Sequence, residues 1–112
     1  MTASTILLNA ASGTAGDPLF VENVFSTFLY EGNGSARSIT NNIDLSNEGG
    51  LTWIKIRDGA NSPLGHHLYD TERGATKKLR SDNTDAESTV STGLTAFNSN
   101  GFSLGSDVGV NG

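Results

Sequence analysis

The chain has 112 residues, one domain at most, and a chain of this size buries roughly two-thirds of the surface that it exposes when unfolded. Hydrophobic residues make up only 35% and Gly accounts for 14 positions, a composition suited to short strands and many turns; there is no Cys, which excludes disulfide frameworks, thiolate zinc sites and cysteine nucleophiles. A net charge of −5 argues against long-range attraction to nucleic acid, and no nucleic-acid partner is expected.

Residues 1–20 read as an extended arm. The opening MTASTILLNAASG has no basic segment, and its apolar trio Ile6, Leu7 and Leu8 is too short for a signal core or a membrane span, so no membrane partner is expected. No period ties the trio to the rest of the chain, and it is a candidate partner-binding point. Asp17-Pro18 marks a break, because Pro fixes its own φ and pushes the residue before it out of the helical region. In Phe20–Leu29 the apolar residues fall at helical spacing, yet VFSTFLY is nearly all β-branched or aromatic, which favours a strand. Glu31-Gly-Asn-Gly-Ser35 then turns the chain.

Arg37–Thr40 and Ile43–Leu45 are short strand candidates. Leu51–Arg57, LTWIKIR, is a longer one, and His66–Asp70 is its partner across the turn-rich DGANSPLG. Ala75–Arg80 is a further candidate with Lys77, Lys78 and Arg80 solvated, and a brief strand is expected within Ser88–Ser91. Leu94–Phe97 and Phe102–Leu104 flank Asn98-Ser-Asn-Gly101, an Asn-Gly hairpin signal. Strands every ten residues or so, with no segment committed to a helix, imply an all-β antiparallel sandwich or jelly roll over residues 21–112. Its expected core is Phe25, Leu29, Trp53, Ile54, Ile56, Leu68, Leu94, Phe97, Phe102 and Leu104.

The residues that carry chemistry are sparse. His66 and His67 are adjacent on a strand and point to opposite faces, so they do not share a ligand. Asp70, Arg73 and Gly74 in DTERG form a corner, in which the Asp caps the turn, the Gly takes positive φ and the Arg folds back on the carboxylate. Glycoside hydrolysis needs two carboxylates about 5 to 10 Å apart across a cleft. Asp70 and Glu72 lean to one face, but nothing marks either as buried. Asp82, Asp85 and Glu87 miss the alternate spacing and central Gly of a calcium loop. Trp53 is a sugar-platform candidate, although its place between Thr52 and Ile54 favours core packing. No catalytic residue, metal or cofactor is expected.

Three segments in order, GLTWIKIRD (50–58), HHLYDTERG (66–74) and LTAFNSNGFSLGS (94–106), resemble a domain found in tail-fibre and other tail proteins of tailed bacteriophages, notably those of marine bacteria and cyanobacteria. The likeness opens at VFSTFLYEGNGS and runs to the end of the chain. It implies a concanavalin-A-like jelly roll in a structural virion protein located in the tail: the N-terminal part of a tail fibre, not an enzyme. Its partners would be adaptor, nozzle or baseplate-type tail proteins and copies of itself in a homotrimer. The alternative is a carbohydrate-binding module contacting host surface glycans, and a third reading is a fragment of a jelly-roll glycan hydrolase. Similar proteins continue past GFSLG into another strand that is missing here, so the sandwich is expected to be incomplete at its C-terminal end, with an edge that a neighbour covers.

Removing Thr2–Gly16 should leave the 21–112 domain folded but release it from the particle. Intact melting with loss from purified particles is the expected result; unfolding, or retention in particles, would refute the anchoring role of Ile6, Leu7 and Leu8.

Overall fold

In a computed structural model the described residues are 18–57 and 64–112. The arm trio Ile6, Leu7 and Leu8, and most of the loop between the Trp53 strand and its partner, lie outside them. The fold is all-β, antiparallel and sandwich-like, with three single helical turns. In chain order the elements are α1 (Val21–Val24), β1 (Arg37–Thr40), α2 (Leu45–Glu48), β2 (Leu51–Ile54), β3 (His67–Asp70), β4 (Lys77–Lys78), β5 (Ser88–Thr89), β6 (Leu94–Asn98), β7 (Gly101–Leu104) and α3 (Val108–Asn111).

The strands form a three-stranded sheet in the order β1-β7-β6 and two pairs, β2-β3 and β4-β5. An antiparallel bridge, Leu68 to Leu79, joins β3 to the residue after β4. One core fills the space between the layers. Ile39, Leu94, Phe102 and Leu104 come from the three-stranded sheet, Ile54 and Tyr69 from β2-β3, and Leu45 and Val110 from the helical turns. The β6-β7 hairpin forms where Asn-Gly predicts it, with Asn98 paired to Gly101. Gly101 has φ +152, and a Cβ there would collide with the Ile39 carbonyl on β1, so only Gly lets β1 close on the hairpin.

Three expectations are overturned. Phe20–Leu29 is not a strand: Val21–Val24 is one helical turn, and the chain then runs unpaired, leaving Phe25 66% and Leu29 73% exposed. The β-prone composition is present, but a strand needs a hydrogen-bonded neighbour, and no described strand pairs with the segment. Ile43–Leu45 is also not a strand, because the Asp44 carboxylate accepts the Asn47 N–H at 3.0 Å and caps α2. Trp53 is not core. Strand β2 buries Thr52 and Ile54 and turns Leu51 and Trp53 outward, leaving Trp53 61% exposed. Ile54, Leu94, Phe102 and Leu104 are buried as expected, and Phe97 packs partly buried against them. Leu68 and Ile56 are half-buried, and Lys77, Lys78 and Arg80 are half-buried rather than fully solvated.

The chain after β7 does not run out as loose backbone. Asp107 caps α3 by accepting the Gly109 N–H at 3.1 Å, and α3 carries Asn111 into the interior. Its Nδ2 donates to the Ser35 carbonyl at 2.7 Å and the Gly105 carbonyl at 2.8 Å, and its Oδ1 accepts the Asn33 N–H at 3.1 Å. The Gly34 N–H donates to the Asn111 carbonyl at 2.6 Å, and the Tyr30 hydroxyl to the Val110 carbonyl at 2.6 Å. Burial pushes the Tyr30 phenol up to about 12, with Arg37 partly opposing it, so the hydroxyl stays a donor at neutral pH.

Two substitutions test this account by urea denaturation. Asn111→Ala strands two carbonyls and an N–H and should cost on the order of 3 kcal/mol. Trp53→Ala should cost less than about 1 kcal/mol, against the 3 to 5 kcal/mol of a buried aromatic.

Candidate functional site

Two regions combine side chains of different chemistry. The first is the outward face of β2. Trp53 Nε1 donates to His66 Nδ1 at 2.9 Å, and the two rings meet edge to face with centroids 5.6 Å apart. This pairing follows from strand register. Trp53 sits opposite Leu68, which leaves His66, just before β3, beside the indole. The histidine is thereby held as an acceptor at Nδ1, and the indole is fixed upright on the surface.

Beside this pair runs a groove of about 1330 Å³. One wall is β2 with its flanks, including Leu51, Trp53 and Ile56, and the other is the unpaired segment with Val24, Phe25, Phe28 and Leu29. Its rim carries Lys55, Arg57 and Glu31, so an apolar floor is edged by charge of both signs.

The second region is internal. His67 and Tyr69 point inward from β3, and the Tyr69 hydroxyl lies 3.4 Å from His67 Nδ1. Asp107 Oδ2 is 4.0 Å from the same nitrogen. Burial lowers the His67 pKa, the positive charge of Lys78 lowers it further, and Asp107 opposes both. Burial, then Asp107, pushes the Tyr69 phenol up to about 12. The imidazole is therefore neutral at pH 7 and the phenol protonated. A hydroxyl and a neutral ring, both buried, form a structural polar pair.

The remaining candidates resolve into structure. At the corner after β3, the Asp70 carboxylate accepts the Arg73 N–H at 2.7 Å and Arg73 Nε at 2.6 Å, while Gly74 takes φ +96. The Arg73 N–H and guanidinium hold the Asp70 carboxyl below the usual range, and it serves as the cap of the turn. Asp82 is held by Arg80 Nη2 at 2.6 Å, which together with the His66 N–H depresses its carboxyl strongly. His66, just before β3, meets Trp53 at the surface, whereas His67, the first residue of β3, is buried, so the two do face different surroundings. Among the described residues, no three His, Asp or Glu side chains gather in a way that could hold a metal ion. The groove escaped sequence reasoning because its walls are apolar residues with the same composition as a core. The available signal was the helical spacing in Phe20–Leu29, which competed with a strand reading.

The pH dependence of stability isolates His67. A base whose folded pKa lies below its unfolded value binds fewer protons when folded, so its contribution is present above the unfolded value near 6.5 and is lost as pH falls through that value towards the folded one. The melting temperature should therefore fall between pH 7.5 and 5, before the carboxylates protonate, and His67→Gln should flatten that part of the profile. A profile unchanged by the substitution would refute the assignment.

No curated protein and no solved structure matches the chain. One family model does, over residues 22–112, described as a domain of unknown function, DUF7483. That match takes in every described strand, the groove and the Asn111 contacts, and the chain belongs to the DUF7483 family.

Proposed function

We propose that this domain is a structural, assembling module of a bacteriophage tail fibre. The observation that carries the reading is the exposed apolar surface. Leu19, Phe20, Val21, Val24, Phe25 and Leu29 are each more than half exposed in one short stretch, and Leu51 and Trp53 add to it from β2. A free-standing soluble domain seldom leaves so much contiguous apolar surface open, whereas a subunit inside an assembly covers it. The sequence likeness of residues 50–58, 66–74 and 94–106 to tail proteins supplies the kind of assembly, with tail components and further copies of the chain as partners. Asp70, the best-placed carboxylate for glycan hydrolysis, is engaged by Arg73, which favours a non-enzymatic role.

A second reading, a glycan-binding module, draws on one observation. Trp53 stands exposed and braced by His66, an arrangement in which an indole face can stack on a sugar ring.

The test of the first reading uses particles from cells producing the chain with the rest of its tail proteins. An antibody to residues 22–112 should label the tail by electron microscopy, and chain absent from purified particles would overturn the reading. For the second, binding to host surface glycans lost in Trp53→Ala is the positive result, and an intact chain that retains no glycan excludes it.

A further inference from the structure

The segment Phe25–Tyr30 and the strand β2 face each other across the groove without pairing. Among the described residues, no backbone N–H from Ser26 to Gly32 finds an acceptor. The segment holds no charge between Glu22 and Glu31, no Pro and no Gly, so it lacks the devices that keep exposed strands from pairing. Strand β2 is open as well. Among the described residues it pairs only with β3, and Thr71 N–H to Gly50 O at 3.0 Å sets the alternation so that Gly50, Thr52 and Ile54 face β3. The backbone groups of Leu51 and Trp53 then point to the open edge. Among the described residues one chain thus carries an unpaired donor stretch and an unpaired acceptor edge.

We infer that the groove is filled by a second copy of this chain, whose Phe25–Tyr30 segment adds as a strand along the open edge of β2 in a head-to-tail contact. The inference deepens the assembly reading by naming the partner and the surface. Added strands gain affinity from main-chain hydrogen bonds and specificity from side-chain pockets. Here Phe25 and Leu29, on one face of the added strand, would cover Leu51 and Trp53 of the next copy, and Phe28 would turn to the opposite face, the one that carries Ile54. The apolar side chains that meet in one such contact, the segment of one copy and β2 of the next, expose on the order of 800 Å² in all, about half of an interface of standard size, and the main-chain ladder adds to it. The charges agree: Glu22 and Glu31 flank the donor, and Lys55 and Arg57 follow the acceptor. A donor and an acceptor on different surfaces make a heterologous contact, which closes into a ring when the rotation between copies allows.

The experiment measures the mass of the full 112-residue chain by light scattering at micromolar concentration. The wild type should be a multimer. Thr27→Pro, which removes an N–H at the centre of the donor, and Phe28→Asp, which places a charge on it, should weaken association at least about 100-fold. Both lie outside the core, so the aromatic circular dichroism of the folded domain should persist. Because the chain has no Cys, Thr27→Cys and Lys55→Cys variants give clean thiol cross-linking. Co-expressed, they should yield a cross-linked pair that neither gives alone. A multimer unaffected by Thr27→Pro and Phe28→Asp, or Thr27→Cys cross-linking with itself, overturns this contact and leaves the assembly reading standing. A monomeric wild type overturns the contact, including one that multimerises only when Thr2–Gly16 is removed because its own arm fills the groove. The fibre reading then rests on the particle labelling alone.

Discussion

The buried side chain of Asn111 is the constraint on which the rest of the structure depends. Both of its amide hydrogens and its oxygen are used, on three backbone groups from two distant parts of the chain. A buried amide left partly unsatisfied costs more than a hydrogen bond gains on balance, so full satisfaction turns a liability into a specific lock. The lock holds Asn33–Ser35 against the turn after β7, at the mouth of β1. With Tyr30 fastened to Val110, the stretch before β1 is pinned at its C-terminal end while its N-terminal part stays open.

That asymmetry produces the surface. Fixing Tyr30 and Ser35 directs Phe25–Leu29 past β2 at a distance that leaves a groove instead of a ladder. Strand period then settles what faces the groove. With Ile54 committed to the core beside Tyr69, Thr52 must also turn in, and Leu51 and Trp53 must turn out. One choice of face sends Trp53 into solvent and brings His66 beside it. The groove, the indole–imidazole pair and the open edge of β2 are consequences of the same register.

The polar groups follow a division of labour. Asp70, Asp44 and Asp107 each cap a turn, accepting nearby backbone N–H groups. Their carboxylates shape the chain reversals between short strands, a role that a Gly-rich, Cys-free chain fills with local hydrogen bonds where others use disulfides. His67 and Tyr69 are the only titratable pair drawn inside among the described residues. Their burial keeps both neutral, so the core carries polarity without charge.

The sequence by itself determined whatever depends on neighbours within a few residues. The Asn-Gly hairpin of β6 and β7, the Asp70–Arg73–Gly74 corner, the pairing of the Trp53 strand with the His66–Asp70 strand and the all-β class were all legible, because turn chemistry and residue type fix them locally. Ile54, Leu94, Phe102 and Leu104 were legible as core for the same reason. The tertiary structure alone decided which face of β2 turns inward, since LTWI is apolar at three of four positions and its pattern suits either face. It also decided that VFSTFLY has no strand to pair with, because pairing is a property of two segments and composition reports on one. Ile39, Leu45 and Val110 became core, and Asn111 the lock, only through contacts as much as 80 residues apart in the chain. An Asn near a chain end reads as a turn residue until the three backbone groups that satisfy it are brought around it.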